Sequence, residues 1–301
     1  MTRILIAVFS MLFLSQRAGA QEGNPSPKTS DSPCVLENVR KLSPPDISVW
    51  HPIWMPDSQH LVFSTLDSVK IASAPVDPMY IVDILGASKP QLIASGVNPL
   101  SIQIEPAGKQ IAFKKRILGK PSQSEPFQFL DAVSRTPVKN SSDETEKWER
   151  ARVRETLFKL KQPDIRTHQI VRADKKRQVV LTRKGGRHFL IDMLSGDVKN
   201  IQPQLPPKAH ILGSDLAPDG RYIIFSVQLD RESLDSDVIG RAELFIADTN
   251  GRTWQLTDTS TIVEDGPTWS PDGRHLAYID YQDQILRKGN STLFAGEIKC
   301  K

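Results

Sequence analysis

Long apolar runs are nearly absent from this sequence. Residues 4–14 (ILIAVFSMLFL) form the single one, well short of the about 20 residues that a spanning helix needs. A basic head, Met1-Thr2-Arg3, precedes the run and small residues, 18–20 (AGA), follow it. Residues 1–20 therefore read as a secretory signal peptide, leaving no membrane span after cleavage; a retained anchor is the alternative. Cysteine is scarce too, with only Cys34 and Cys300 in 301 residues. In an exported, oxidising setting such a pair favours a disulfide over two free thiols. No histidine stands near either cysteine in sequence and no zinc-type spacing exists, so no metal site is indicated. An excess of one charge is also missing. The net charge of +4 falls to +2 once residues 1–20, with Arg3 and Arg17 and no acid, are removed. That balance is too small to imply nucleic acid or a membrane surface as a partner. Finally, GxSxG, HExxH, the phosphate-binding loop and the dinucleotide fingerprint are all lacking, so no residue is marked as catalytic and no cofactor is indicated.

What is there is a repeat. The segment WSPDGRHLAY (269–278) has relatives in WMPDSQHLVF (54–63), IEPAGKQIAF (104–113) and LAPDGRYIIF (216–225). A worn copy lies at VRADKKRQVVL (171–181). Measured between Pro56, Pro106, Ala173, Pro218 and Pro271, the intervals are 50, 67, 45 and 53 residues. Within each unit, proline pre-sets one turn position, aspartate can bond the backbone just ahead, and glycine takes the left-handed position. The turn residues are Pro56 and Asp57, Pro106 and Gly108, Pro218, Asp219 and Gly220, and Pro271, Asp272 and Gly273. Flanked by apolar runs, each turn predicts a β-hairpin. A second hairpin-like signal follows each, as in ELFIADTNGRTWQLTD (243–258). Four strands in about 50 residues is the pattern of a propeller blade, so the fold class is all-β, a β-propeller.

The WSPDGRHLAY motif with its ELFIADTNGRTWQLTD-like completion resembles the TolB-like family of WD40-like (PD40) propeller repeats. The resemblance covers nearly the whole of residues 34–301, with residues 21–33 expected to form a disordered lead-in. Five blades are expected, with six as the alternative, since TolB itself resembles a six-bladed ring. The last unit ends after a third strand, STLFAGEIKCK (291–301), and VLENVRKLSP (35–44) sits where a fourth strand stands in other units. The N-terminal strand is therefore expected to complete the last blade, bringing Cys34 beside Cys300. The 67-residue interval is explained by SSDETEKWERARVRETLFKLK (141–161), rich in helix formers, acidic at its start and basic at its end, which predicts an inserted helix.

Meander topology places the short hairpin turns on one face and the long, varied loops on the other. Loops on a rigid scaffold commonly carry function. On the long-loop face, Trp50 and His51 precede the first inner strand and Glu264 and Asp265 precede the last. Ring closure makes these neighbours, so an aromatic, an imidazole and two carboxylates can converge at a channel mouth, suiting a peptide, a sugar or a cation. The alternative has Trp50 packing between blades and the acids as solvated loop charges. His210 is a further loop candidate. A channel-bound calcium or magnesium ion is possible but not indicated. The resemblance implies a periplasmic or secreted protein, a monomer with an envelope protein partner and no catalytic role. A channel-site enzyme or small-ligand propeller is the alternative.

Overall fold

The computed structural model describes residues 31–44, 48–65, 77–85, 89–105, 107–115, 126–139, 166–172, 178–184, 187–192, 194–229, 240–259, 263–281 and 291–301, with the backbone alone for 166–172, 178–184 and 187. The expected signal peptide, most of the expected lead-in, Pro106 and the helix expected at 141–161 lie outside these residues. The described chain is all-β. It holds twenty strands and one short 3-10 turn, Pro99–Ser101.

The strands form three four-stranded antiparallel sheets and one eight-stranded sheet, the latter made of two four-stranded meanders, counted as the fourth and fifth sheets, joined by the parallel Ala242–Val263 bridge. The first sheet contains β2 (Val49–Trp54), β3 (His60–Thr65), β4 (Met79–Asp83) and β5 (Gln91–Ala94). The second contains β6 (Gln103–Ile104), β7 (Gln110–Lys114), β8 (Phe127–Asp131) and β9 (Pro137–Val138). The third contains β10 (Arg166–Arg172), β11 (Gln178–Lys184), β12 (Arg187–Asp192) and β13 (Val198–Ile201). The fourth contains β14 (His210–Leu216), β15 (Tyr222–Gln228), β16 (Ala242–Asp248) and β17 (Thr253–Gln255). The fifth contains β18 (Val263–Trp269), β19 (His275–Tyr281) and β20 (Ser291–Cys300), and its fourth strand is β1 (Cys34–Lys41) from the other end of the described chain. The β1–β20 ladder runs from Cys34 opposite Cys300 to Lys41 opposite Phe294, and a disulfide joins Cys34 to Cys300.

Face-to-face stacking explains why the second strand of each unit is apolar without alternation. Leu61, Val62 and Phe63 on β3 are all buried, as are Ile223, Ile224 and Phe225 on β15 and Leu276, Ala277 and Tyr278 on β19. A strand covered on both sides needs apolar side chains on both. One layer unites Trp54, Leu61 and Phe63 of the first sheet with Ala277, Ile279 and Leu293 of the fifth. A second joins Ile224, Leu244 and Ile246 of the fourth to Trp269, Leu276 and Ile298 of the fifth. Others join the first to the second through Val62, Ile81, Ile111 and Phe113, and the third to the fourth through Leu190, Ile201, Ile223 and Phe225. In space the sheets therefore run third, fourth, fifth, first, second.

The hairpin turns repeat this order. Ser58, Gly108, Gly220 and Gly273 donate their N–H to the carbonyls of Met55, Glu105, Ala217 and Ser270 at 3.1, 2.8, 2.8 and 2.9 Å. Their φ values are 58, 73, 72 and 74°, the left-handed region in which glycine has no penalty. Asp57, Asp219 and Asp272 accept the N–H two residues ahead at 2.9, 2.9 and 3.0 Å, so these carboxylates are engaged by their own turns. Neighbouring turns also touch. A β carbon at Gly108 would lie 3.3 Å from Pro56, and one at Gly273 would lie 3.7 Å from Pro218. The Asp272 N–H donates to the Ser58 hydroxyl at 3.0 Å, carrying the same relation across from the fifth sheet to the first.

Candidate functional site

The first strands of the fourth, fifth and first sheets, β14, β18 and β2, lie side by side, and each is bulged. Register breaks occur between Ile211 and Gly213, between Asp265 and Thr268, and between Trp50 and Ile53. His51 and Gly266 occupy matching places before Pro52 and Pro267, with φ of 54 and 58°. A bulge bends its strand and re-aims side chains. Here the three bulges surround a cavity of about 450 Å³ lined by Trp50, His51, Asp215, Asp265 and Tyr281 among others. A β carbon at Gly213 would stand 3.1 Å from Asp265 Oδ1, so the missing side chain gives the carboxylate room over β14.

The cavity floor is tied across the sheets. Asp215 accepts the Trp269 N–H at 2.6 Å, and the Trp54 indole donates to the Thr268 carbonyl at 3.0 Å. Burial pushes the Asp215 carboxyl up to about 7, against the lowering effect of bonds from Trp269, Thr268 and Leu216. Burial also raises Asp265, opposed by the Gly266 N–H and the Ser226 hydroxyl. Tyr281 is raised by burial and then by the Asp265 charge, which keeps its hydroxyl protonated beside that acid. The site therefore presents two desolvated carboxyls among aromatic and imidazole groups. A cationic group entering it would favour the charged form of both acids.

The residues proposed from sequence fall in three environments. Trp50, His51 and Asp265 line the cavity. Glu264 points to the other side of β18, as strand alternation dictates, and is 1% exposed. There it accepts the Leu244 N–H at 3.3 Å and hydroxyl bonds from Thr257 and Thr259. Burial pushes Glu264 up to about 7, with the charges of Glu243 and Asp280 adding to the rise. His210 opens β14, paired with Gln228, and is exposed outside the cavity. Asp215 and Tyr281 were not selected from sequence. The available signal was position, since Asp215 precedes the repeat's Leu216 as Thr268 precedes Trp269.

No family model matches the chain. The crystal structure of TolB from Acinetobacter baumannii is 17% identical, with 83% of this chain aligned to 54% of TolB at a TM-score of 0.35. The RRP9 WD40 repeats are 9% identical over 87% of this chain and 97% of theirs, at a TM-score of 0.42. An oligogalacturonate lyase from Vibrio parahaemolyticus is 9% identical over 87% of this chain and 95% of its own, at a TM-score of 0.53. The chain is similar to TolB-like and WD40-repeat proteins. It spans about half the length of the TolB it matches. At these identities the likeness concerns the fold, and the lyase comparison, at a TM-score of 0.53, carries it.

Proposed function

We propose that this chain is an exported five-bladed β-propeller, closed by β1, that acts as a non-catalytic protein-binding module at a bacterial cell envelope. It works as a periplasmic or secreted monomer, and a basic or amino-terminal segment of its partner enters the cavity between β2, β14 and β18. The observation that carries this reading is the cavity itself, with Asp215 and Asp265 beside Trp50 and Tyr281. Carboxylates attract a cation, and aromatic faces hold it by cation–π contact. Stacking of the meanders on one another supports a ring, and the disulfide between β1 and β20 fits an oxidising compartment.

The test is capture from envelope extract by residues 21–301, followed by affinity measurement on the recovered partner. Trp50→Ala and Asp265→Asn are each expected to weaken binding about tenfold or more, the loss of a central anchor costing at least 1–2 kcal/mol. A partner that binds both variants as tightly as wild type overturns this placement. Absence of any protein partner, together with a sugar, peptide or metal ion that raises the melting temperature, favours a small-ligand propeller. The cavity volume of about 450 Å³ is the observation that supports that second reading.

A further inference from the structure

The fourth and fifth sheets meet at the parallel bridge of Ala242 with Val263. One residue further along each strand stands a glutamate, Glu243 on β16 and Glu264 on β18. Both are buried, at 0 and 1% exposure. Two carboxyls set side by side out of water are costly unless donors and protons reach them. Those donors come largely from the segment that links β17 to β18. The Thr257 hydroxyl sits between the two acids, 3.0 Å from Glu243 Oε2 and bonded also to Glu264 Oε2. The Thr259 hydroxyl lies 3.2 Å from Glu243 Oε2 and 3.4 Å from Glu264 Oε1.

The donors are shared unevenly. Glu243 accepts the Arg241 guanidinium at 2.9 Å and the Thr259 N–H at 2.9 and 3.0 Å to its two oxygens. Among the described residues, Glu264 receives one N–H, that of Leu244 at 3.3 Å, and this N–H lies closer to Thr257 Oγ1, at 2.9 Å. A hydroxyl carries one hydrogen, so Thr257 cannot donate to both carboxylates. With both acids ionised, one of its two carboxylate contacts would set acceptor against acceptor. A proton on Glu264 removes the conflict. The bond between Glu264 and Thr257 then runs from acid to hydroxyl, Thr257 donates to Glu243, and Arg241 balances the charge that remains. The surroundings favour that state. Across the junction Glu264 faces Glu243, whose partner Arg241 also holds Asp258 at 2.9 Å. On β19 it faces Asp280, its cross-strand partner, and Tyr278, and the Lys41 charge acts on Asp280. Burial raises Glu264 most; the Thr257 bond opposes the rise, and the charges of Glu243 and Asp280 add to it.

We propose that Glu264, Thr257 and Glu243 form a proton-operated clasp between the fourth and fifth sheets, closed while Glu264 carries a proton and loosened when it loses it. The loss leaves two carboxylates facing one hydroxyl hydrogen, so Thr257 holds only one of them and the tie from β16 to β18 is broken. The folded value of Glu264 lies above its ordinary 4.5, so the clasp contributes fully below about 4.5 and is lost as the pH rises through about 7. Glu264 immediately precedes Asp265, so the clasp also secures from behind the strand that carries the cavity's carboxyl. It stands on the hydrogen bonds of the junction and does not depend on the partner-binding reading.

The test uses residues 21–301 labelled with carbon-13 at the glutamate side-chain carboxyls. A carbon NMR titration is expected to show one carboxyl, absent from Glu264→Gln, that keeps its proton about 2 pH units beyond the ordinary glutamate value of about 4.3. Hydrogen exchange reads the clasp itself, with the Val62 amide of the first sheet as reference. After correction for intrinsic rates, the Leu244 and Thr259 amides of wild type are expected to lose protection about tenfold between about pH 5 and about pH 8. In Glu264→Gln, whose side-chain amide donates to Thr257 at either pH, the loss is expected to stay below about twofold. The wild-type titration stands even where the variant folds poorly: if no glutamate holds its proton to neutral pH, the clasp does not exist. Wild-type protection that is the same at both pH values, or that falls equally in the variant, also overturns the proposal.

Discussion

Two residues show how burial converts a side chain's chemistry into a property of the fold. Asp215 is 7% exposed and titrates near 7 because burial disfavours its charged form. Its unfolded value is near 3.8, so the folded state holds the proton more tightly. That stabilising contribution is full below about pH 4 and is lost as the pH rises through 7. Wild type is expected to melt roughly 3–6 °C lower at about pH 8 than at about pH 5. Asp215→Asn, which keeps an acceptor for the Trp269 N–H, is expected to remove its share of that dependence and leave the share of Glu264, which burial also pushes up to about 7. A melting series in matched buffers checks it; an equal slope in the variant assigns the effect elsewhere. Gly251 gives the steric counterpart. Its φ is 87°, and an added β carbon would run into the Gln202 carbonyl of the third sheet's exit. Gly251→Ala is expected to destabilise the protein by about 2–4 kcal/mol in urea titration.

At the scale of the strand, the hairpins were legible because their turns obey local rules. Proline, aspartate and glycine act within four residues, and Asp57, Asp219 and Asp272 bond their own turns. The pairing of β1 with β20 was legible from a different clue, the last sheet's want of a fourth strand. Side-chain direction within the first strands was less legible. The neighbours Glu264 and Asp265 were treated alike, yet one is buried against β16 and the other lines the cavity. A one-residue step reverses the face, and the bulge after Asp265 shifts the count again. Asp215 escaped notice for a related reason: its role depends on the Trp269 N–H, 54 residues away. The disulfide belongs to this scale as well, because it clamps β1 to β20 across a sequence separation of 266. Its loss, by reduction or by Cys34→Ser with Cys300→Ser, is expected to cost up to roughly 4–5 kcal/mol. Urea titrations with and without reductant check this, and non-reducing peptide mapping should recover the linked pair.

For the whole molecule, the stacking order third, fourth, fifth, first, second leaves one junction to complete a ring, between the second and third sheets. Closure is expected to give a compact particle with a radius of gyration of roughly 19 Å by X-ray scattering. An open arc would be larger and would change size with concentration as its free faces associated. The cavity depends on the same arrangement. It exists because β14, β18 and β2 open three different meanders that lie side by side.

That meeting has a kinetic side. The strand that leaves the ribosome first is the strand that can be placed only after β20 has been made. Until the two pair, β20 presents an unpaired edge and residues 34–41 wait without a partner. Contacts this distant in sequence form slowly, so the pairing of β1 with β20 should be a late step of folding. The outward face of β1, carrying Glu37, Arg40 and Lys41, is suited to that wait, since charged edge strands resist pairing with other molecules. The oxidation of Cys34 with Cys300 would then record the moment at which the fifth sheet gains its fourth strand.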